Sequence, residues 1–361
     1  MPIPLSLYVH LPWCVRKCPY CDFNSHVARG ELPEDRYIDV LLRDLAWEVP
    51  RIGDRPIDTM FLGGGTPSLF SPESIARLID GIRERTNLGA DAEITLEANP
   101  GTVDQARFRG YRDAGVNRLS IGIQSFNDSH LKALGRIHGR DEALAAAGAA
   151  RAAGFDNSAD GNEARAARQG WRGGGFNLDL MFGLPGQGID DAVADIDAAL
   201  SFAPVHLSTY QLTLEPNTLF HAQPPALPDD DTIALMQEAV AERLTGAGFV
   251  HYEVSAWAKP GHECRHNLNY WQFGDYLGIG AGAHGKLTNE TLVTRRWKIK
   301  HPDRYLATAG TAAAVGGEDR PAGCELAFEF LLNTLRLTEG FTETLFRERT
   351  GLDPGIIRER L

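Results

Sequence analysis

The stretch LYVHLPWCVRKCPYCDFNSH, residues 7–26, joins an apolar strand to three of the five cysteines in this chain of 361 residues. The strand is predicted over 5–11, and Cys14, Cys18 and Cys21 follow it with C-x3-C-x2-C spacing. In barrels built from parallel strand–helix units, functional residues collect at the C-terminal ends of the strands. Thiols placed directly after a strand therefore suggest a fold of parallel strand–helix units with a functional site at the C-terminal ends of the strands.

Five more apolar strands alternate with amphipathic helices along the first two-thirds of the chain. The helix predicted over 33–49 has apolar residues at helical spacing, and Ser71 with Pro72 predicts the start of the next helix. The six strands are predicted over 5–11, 57–62, 92–97, 117–124, 176–182 and 205–212. This alternation indicates parallel βα units. Six units favour an open α/β barrel, and a flat doubly wound sheet is the alternative that periodicity leaves open.

Unusual residues end each of these strands. After the cysteine loop come the segments GGGTPS (63–68), EANP (97–100), GIQSF (122–126), GLPGQ (183–187) and TLEP (213–216). Each segment contains glycine, proline or a charged or amide side chain. This pattern favours the barrel, because it predicts one site assembled from six loops at one end.

Composition and charge limit the class of protein. The formal net charge of −12 argues against a broad surface for nucleic acid or anionic membrane, because such surfaces depend on clustered Lys and Arg. The first residues lack the pattern of a signal peptide, and no apolar run approaches the roughly 20 residues that span a bilayer. Clustered cysteines suit a metal or redox site in a reducing compartment. We expect an acidic, cytoplasmic protein with no transmembrane segment and no nucleic-acid partner.

The cysteine loop is compatible with two kinds of metal site. A structural zinc ion needs four ligands, so His10, His26 or Cys264 would have to complete a zinc site. A [4Fe–4S] cluster is normally held by four thiolates, so three would leave one iron open for a substrate or cofactor. The soft thiolate ligands favour the cluster over zinc.

Several motifs together carry a family resemblance. They are YVHLPWCVRKCPYCDF (8–23), GGGTPS (63–68), LEANP (96–100), SIGIQSF (120–126), DLMFGLPGQ (179–187) and HNLNYW (266–271). The set resembles the radical S-adenosylmethionine (SAM) superfamily, its oxygen-independent coproporphyrinogen III oxidase-like branch and, within that branch, the HemW-type haem chaperones. The resemblance implies a partial (β/α)6 radical SAM barrel followed by a smaller C-terminal α+β region. It also implies a [4Fe–4S] cluster on the three cysteines, with SAM chelating the fourth iron.

The resemblance also implies SAM contacts at individual positions. These are Tyr8, Tyr20, Gly64, Gly65, Thr66, Glu97, Gln124, Arg136 and Asp179. Their chemistry agrees, because carboxylates can bind ribose hydroxyls or an ammonium group and arginine pairs with carboxylates. Glycines 63–65 would let the backbone approach the ligand, with a tight turn as the structural alternative. Since some family members hold two SAM molecules, Gln124, Arg136 and Asp179 are candidates for a second SAM site.

Two features separate the oxidases of this branch from the haem chaperones. Family oxidases carry a fourth cysteine two residues after the third, and here that position is Phe23. The HNLNYW segment matches the H-N-x-x-Y-W signature of the chaperones. The resemblance therefore makes His266 the candidate axial haem ligand, with Asn267, Tyr270 and Trp271 shaping its pocket. From residue type alone, a hydrogen-bonded scaffold histidine is the alternative.

The resemblance implies a protein that binds a [4Fe–4S] cluster, SAM and haem and delivers haem to apo-haemoproteins such as respiratory enzymes. An electron donor for the cluster and a peripheral association with a membrane are further expectations. An oxygen-independent coproporphyrinogen III oxidase is the alternative, and a radical SAM enzyme with another substrate is the third. Cys264 and His284 are fallback ligands, and Cys324 is predicted to be an inert core residue.

Three regions are predicted along the chain. The barrel covers 1–220, a barrel-completing and haem-signature region covers 221–300, and 301–361 begins a small C-terminal domain. Residues 158–175 form an insert rich in Ala, Arg and Gly where relatives have a short connection, and we expect it to be disordered or a sequence error. Relatives continue beyond position 361, so we expect the last domain to be truncated.

Overall fold

The computed structural model describes residues 3–155, 174–290 and 292–358. Nearly all of the predicted insert over 158–175 lies outside the described residues, so its disorder stays a prediction. Helices and strands contain most of the described residues.

The strands are β1 (Leu5–Leu11), β2 (Trp13–Cys14), β3 (His26–Val27), β4 (Pro56–Gly64), β5 (Asn87–Ala98), β6 (Arg118–Gln124), β7 (Gly175–Phe182), β8 (His206–Gln211), β9 (Val250–Glu253), β10 (Ala256–Ala258), β11 (Asp275–Ile279), β12 (His284–Asn289), β13 (Leu292–Lys298) and β14 (Val315–Asp319). The α-helices are α1 (Glu34–Glu48), α2 (Pro72–Arg85), α3 (Gln105–Asp113), α4 (Asp128–Ala133), α5 (Arg140–Ala150), α6 (Ile189–Leu200), α7 (Leu219–Ala222), α8 (Asp230–Gly246), α9 (Arg265–Trp271), α10 (Pro302–Thr308), α11 (Gly323–Thr334), α12 (Glu343–Thr350) and α13 (Gly355–Arg358). None of these helices is both long and apolar enough to cross a membrane.

One large sheet organises the chain, in the order β14-β13-β12-β11-β1-β4-β5-β6-β7-β8-β10-β9. β1 and β4 to β8 are parallel and lie side by side in chain order, which confirms the six predicted βα strands. A doubly wound sheet would reverse its strand order at a switch point. The single direction of winding therefore confirms the barrel arrangement. Among the described strands, β14 and β9 remain the two outer edges, so the barrel is partial.

The sheet is wider than the sequence pattern predicted. β11 pairs in parallel with β1, with Leu5 opposite Asp275 and Val9 opposite Ile279. Antiparallel strands β12, β13 and β14 then extend the sheet on that side. β1 therefore lies inside the sheet rather than at its edge, which explains why its apolar side chains are all buried.

The helices cover the sheet and begin where the sequence predicted. Ser71 caps α2 by accepting a hydrogen bond from Ser74 N, and Pro72 occupies the first turn. The main core lies between the sheet and the helices, with Leu41 of α1 and Ile79 of α2 fully buried in it. This packing fixes the strands, so the loops at their C-terminal ends are held at one end of the barrel.

The C-terminal helices have a core of their own. Phe330 of α11 packs edge-to-face against Phe346 of α12, with ring centroids 5.0 Å apart. The prediction that Cys324 is a core residue is wrong, because this thiol is exposed in the first turn of α11. The buried face of that helix passes through Leu326 and Phe330 instead.

A buried ionic network joins α1 to β13. Lys298 Nζ lies 2.6 Å from Asp44 Oδ1 and 2.7 Å from Glu48 Oε1. Tyr305 OH donates to Asp44 Oδ2 at 2.6 Å, and Arg51 pairs with Glu48 at 2.7 Å. The network and the sheet both cross the predicted region boundaries near 220 and 300, and those boundaries stay predictions.

Candidate functional site

The cysteine loop leaves the C-terminal end of β1 and is closed by a small two-stranded sheet. β2 and β3 pair in parallel, with Trp13 opposite His26. Cys14 ends β2, and Cys18 and Cys21 lie in the loop between the two strands; all three are half-buried. The three thiols therefore lie together at the end of the barrel where strands β1 and β4 to β8 finish.

Each of the three thiols has a different polar neighbour. Thr66 Oγ1 donates to Cys14 Sγ at 3.4 Å, and Arg136 Nη1 donates to Cys18 Sγ at 3.6 Å. The third thiol lies 3.9 Å from Ser25 Oγ. Threonine and arginine donors next to sulfur stabilise the thiolate, which is the form that binds metal.

The chemistry of the thiols bears on the metal that they would hold. Burial, and to a smaller extent the neighbouring thiols, raises the pKa of Cys14 and of Cys21, so metal loading must release protons. Thiolates are soft ligands, and three of them suit three irons of a cluster. The donor set therefore fits a cluster.

The glycine motif at the end of β4 packs against the cysteine loop. Gly65 N donates to Leu11 O at 2.8 Å, and a Cβ at Gly65 would lie 2.5 Å from Trp13 O. Gly64 has a φ of +110°, and a Cβ there would lie 2.4 Å from the ring of His10. The protein's own packing thus already requires glycine at both positions. The predicted reason was close approach of the backbone to a ligand, and it stays a second possible reason for glycine at these positions.

Two half-buried carboxyl groups lie near each other on β5 and β7. Glu97 Oε2 accepts a hydrogen bond from Gly64 N at 3.1 Å. Asp179 accepts hydrogen bonds from Ser120 Oγ at 3.0 Å and Asn177 Nδ2 at 2.8 Å. Burial, and then the charge of Asp179, raises the pKa of Glu97 to about 7. A ligand that brings a positive charge or hydroxyl donors would relieve this repulsion.

A second polar group surrounds Arg136, in the connection between α4 and α5. Its Nη2 donates to Asn99 Oδ1 and, at 2.8 Å, to Gly122 O. Asn99 Nδ2 in turn donates to Thr66 Oγ1 at 2.9 Å. These bonds join the cysteine loop, the glycine motif and strands β5 and β6 around one guanidinium group. Arg136 is therefore an internal residue of the site.

Gln124 ends β6 in an uncommon backbone conformation. Its φ is +68°, and the pairing of β6 with β7 shifts register between Gly122 and Gln124. A Cβ at Gly122 would lie 2.9 Å from Gln124 Nε2 and 3.5 Å from Arg136 Nη2. The amide is thus directed at the group around Arg136. Strained residues and bulges of this kind cluster at functional sites.

Tyr8 and Tyr20 are the last two of the nine predicted SAM contacts. Tyr8 lies on β1 with its OH 3.1 Å from His10 Nδ1 and near the charge of Glu97, and Tyr20 contacts Arg136. The nine predicted SAM contacts are therefore connected to one another at the end of the barrel that carries the cysteine loop, and Gly65, Thr66 and Arg136 bond residues of β1 and that loop directly. They form two groups, one of Tyr8, Gly64, Glu97 and Asp179 and one of Tyr20, Gly65, Thr66, Gln124 and Arg136. The three candidates for a second SAM site are divided between these groups, and their SAM roles stay predictions.

Three residues of the site were not predicted. Asn99 bridges Arg136 and Thr66, while Ser120 and Asn177 hold Asp179. Asn99 stands in the strand-end segment EANP, so an amide at a strand end was the available signal. Asn177 is two residues before Asp179 on β7, and this spacing puts both side chains on one face of the sheet.

The haem-signature segment lies at the opposite end of the barrel. It forms α9, where the side chain of His266 is buried. Its Nδ1 lies 2.8 Å from Thr59 Oγ1, its Nε2 lies 3.0 Å from Tyr270 OH, and its backbone N donates to Glu93 Oε1 at 3.0 Å. Thr59 and the Glu93 region precede the ends of β4 and β5, where the site residues lie. Burial, and then the charge of a nearby arginine, lowers the pKa of His266 to about 3.

The side chains of α9 have partners within the protein. Both ring nitrogens of His266 are hydrogen-bonded, which agrees with the scaffold alternative, and its ligand role stays a prediction. Trp271 lies under the guanidinium group of Arg336 at 4.3 Å. Asn269 anchors the helix to β1 by donating to Ser6 Oγ at 2.8 Å. The roles of Asn267, Tyr270 and Trp271 in a haem pocket stay predictions.

The fallback haem ligands lie at different ends of the barrel. Cys264 is buried beside α9, with its Sγ 3.6 Å from Glu93 Oε1. His284 is exposed at the start of β12, where it stacks on Trp297 with centroids 6.0 Å apart. Phe23, which occupies the position of the oxidases' fourth cysteine, is 59% exposed. Of these three residues, His284 and Phe23 are exposed and lie near the cysteine-loop end.

Comparison with solved structures agrees with the fold. The coproporphyrinogen III oxidase HemN from Escherichia coli, described as a radical SAM enzyme, superposes with a TM-score of 0.78 at 23% sequence identity. The match covers 97% of this chain and 80% of that one. At this level of identity the likeness concerns the fold alone.

Sequence comparisons identify the family. The profile of the radical SAM superfamily matches residues 8–162. The chain is 49% identical to the heme chaperone HemW of Escherichia coli (strain K12), with 99% of this chain and 89% of that protein covered. It is 33% identical to the protein of the same name from Bacillus subtilis (strain 168), with 98% and 90% covered. The chain belongs to the radical SAM superfamily and, within it, to the HemW family.

Proposed function

We propose that this protein is a radical SAM-type haem chaperone, which binds a [4Fe–4S] cluster, SAM and haem and delivers haem to apo-haemoproteins. The observation that carries the proposal is the similarity, over 98–99% of the chain, to proteins named heme chaperone HemW from distant bacteria. The site around the cysteine loop supports the cofactor part of the proposal. Delivery to respiratory enzymes, an electron donor, a cytoplasmic location and contact with a membrane stay predictions.

The residues of the site fit a cluster and SAM. Cys14, Cys18 and Cys21 would each bind one iron, and Arg136, which already contacts Cys18 Sγ, would offset the negative charge of the thiolates. Glu97 is a half-buried carboxyl group whose pKa is raised, so it would gain from binding an ammonium group or hydroxyls. When bound, a cluster and SAM supply one-electron chemistry, and the protein supplies orientation, charge and exclusion of water.

Phe23 favours the chaperone over the oxidase alternative. The oxidases of the branch carry a cysteine at this position, and here it is an exposed phenylalanine. The likeness to HemN concerns the fold, and folds of this kind host several activities. The oxidase therefore remains a second candidate that one assay separates from the first.

A haem titration of the anaerobically reconstituted protein tests the proposal. We expect a saturable Soret shift at equimolar haem, followed by transfer of haem to an apo-haemoprotein in a mixed sample. The same preparation, supplied with SAM, a reductant and coproporphyrinogen III, should form no protoporphyrinogen IX. No Soret shift, with the iron–sulfur absorbance intact, would refute the chaperone function. Conversion of coproporphyrinogen III would establish the oxidase instead.

A further inference from the structure

Polar side chains face the inside of the barrel along three neighbouring strands. Leu119 of β6, Leu178 of β7 and Leu207 of β8 belong to the core under the helices. Because successive side chains of a strand point to opposite faces, the residues on either side of these leucines point into the barrel. These residues are Arg118, Ser120, Asn177, Asp179, His206 and Ser208. Barrel interiors are usually filled by bulky branched side chains, so this polar column needs another explanation.

The register of the sheet arranges the polar column in two layers. Ser120 is opposite Asn177, and Asn177 is opposite His206, so these three residues share one layer. The next layer, two residues closer to the C-terminal strand ends, places Asp179 opposite Ser208. Asn177 and His206 are only 1% and 2% exposed, whereas Asp179 is half-buried. The deeper layer therefore lies directly beneath a carboxyl group that is a predicted SAM contact.

The side-chain amide of Asn177 joins the two layers. Its Nδ2 donates to Asp179 Oδ1 at 2.8 Å and to Ser120 Oγ at 2.9 Å. Its Oδ1 accepts from Ser208 Oγ at 3.1 Å and lies 2.7 Å from His206 Nδ1. Since a carboxylate can only accept hydrogen bonds, the amide must turn Nδ2 towards Asp179 and Oδ1 towards His206. Both ends of the amide are therefore engaged in one orientation.

The tautomer of His206 matches this orientation. Because Asn177 Oδ1 can only accept, Nδ1 of His206 carries the ring proton. Burial lowers the pKa of His206 well below its usual range, so the ring is neutral and Nε2 is an acceptor. Nε2 accepts from Tyr252 OH at 2.7 Å, and this hydroxyl accepts from Cys264 N at 3.3 Å. Four hydrogen bonds of one direction thus lead from Cys264, the residue before α9, to Asp179.

We propose that His206 and Tyr252 are positioning residues of the SAM site, which hold the Asn177 amide so that its N–H group faces the Asp179 carboxylate. With the amide reversed, Asn177 Oδ1 would face that carboxylate and the two oxygens would repel each other. A displaced carboxylate would then bind an ammonium group or ribose hydroxyls less tightly. The inference rests on the proposed function and deepens its SAM site, because neither residue would touch the ligand.

SAM binding to full-length, anaerobically reconstituted proteins tests the inference, measured by equilibrium dialysis without a reductant. Asp179→Asn is the reference variant and should weaken SAM binding roughly tenfold or more, because it removes the charge. His206→Phe keeps a ring but removes both hydrogen bonds, and it should also weaken SAM binding roughly tenfold. Tyr252→Phe removes only the hydroxyl at the far side of His206, so we expect a smaller loss of roughly threefold.

Two further variants separate positioning from packing. The amide of His206→Asn can place an N–H group where Nδ1 of the histidine lies, so this variant should bind SAM within about threefold of the wild type. It is also smaller, so it should unfold at a lower urea concentration. Tyr305→Phe is the control for the loss of a buried hydroxyl, because Tyr305 OH bonds Asp44 in the network around Lys298. This control should lower stability and leave SAM affinity unchanged.

The outcomes distinguish this inference from the proposed function. Absence of SAM binding in the wild type would refute the SAM part of the proposed function. If the wild type binds SAM and either Asp179→Asn or His206→Phe binds it equally well, the positioning role is overturned and the proposed function stands. The same holds if His206→Asn loses as much affinity as His206→Phe, or if Tyr305→Phe weakens SAM binding as much as Tyr252→Phe. Loss of packing or of stability would then explain the effects.

Discussion

Gly65 shows how one residue connects the glycine motif to the cysteine loop. A Cβ at this position would meet main-chain atoms of Leu11 and Trp13, which cannot move away as a flexible side chain could. We expect Gly65→Ala to lower the free energy of unfolding by about 2–3 kcal/mol and to reduce the iron that the protein takes up. Urea unfolding and iron analysis measure the two effects.

Gly89→Ala is the matched control for this prediction. Its Cβ would lie 3.4 Å from the Asp91 side chain, which is an ordinary contact. The change in unfolding free energy should stay within about 0.5 kcal/mol. Equal losses of unfolding free energy in the two variants would show that the close contact between Gly65 and the loop does not determine the effect.

Glu97 should make the stability of the metal-free protein depend on pH. Its pKa is raised from 4.5 to about 7 in the folded chain, so the folded state retains a proton that the unfolded chain releases. The contribution of Glu97 to stability is therefore fully present below about pH 4.5, is lost as the pH rises to about 7 and is level above it. Glu97→Gln should remove this slope and raise stability at pH 8 by about 2 kcal/mol.

Denaturant unfolding between pH 5 and pH 8 checks the Glu97 prediction. The exposed Glu238 of α8 provides the control, because Glu238→Gln should leave the pH profile unchanged. If the profile of Glu97→Gln ran parallel to that of the wild type, Glu97 would not carry a proton at neutral pH.

At the scale of elements, α9 closes the end of the barrel away from the cysteine loop. His266 bonds Thr59 and Tyr270, and its ring packs on Phe61 with centroids 5.1 Å apart. We expect His266→Ala to lower the free energy of unfolding by about 2–4 kcal/mol, because it leaves a cavity and unpaired hydroxyls. Urea unfolding measures the loss, and His284→Ala should cause almost none. An unchanged stability of His266→Ala would contradict the structural role of these contacts.

The strands could be predicted from the sequence better than α9 or β11. Long apolar runs bounded by glycine and proline identify buried parallel strands, and the six predicted ones agree with the structure. Residues 265–271 were not predicted as a helix because histidine, asparagine and aromatic residues dominate the segment and leave no apolar stripe. β11 is short and follows directly after α9, so it lacked the flanking helix that marks a βα unit.

At the scale of the whole molecule, the network around Lys298 couples α1 to β13. Removing the lysine would leave Asp44 and Glu48 buried without their cation. Lys298→Met should therefore lower the free energy of unfolding by about 3–5 kcal/mol. The exposed pair of Arg77 and Asp35 is the control, and Arg77→Met should change stability by less than about 1 kcal/mol. A small effect of Lys298→Met in thermal and urea unfolding would show that the carboxyl groups are protonated.

The sequence could predict which residues belong to the site, but it could not predict which of them bond to each other. Parallel strands finish at one end of a barrel, so residues as distant as Cys14 and Asp179 could be assigned to one site. Which donor meets which acceptor depends on rotamers and register. The contact between Arg136 and Cys18 and the bulge at Gln124 follow from such details. Likewise, no periodicity shows that His26 meets His301.

The pairing of β1 with β11 places constraints on the order of events during synthesis. Residues 5–9 pair with 275–279, and Asn24 of the cysteine loop bonds carbonyl groups at 281 and 300. A ribosome therefore releases more than three-quarters of the chain before these partners emerge. Contacts of such long range form late in folding. The cysteine loop therefore lacks the segments that hold Asn24 until late in synthesis.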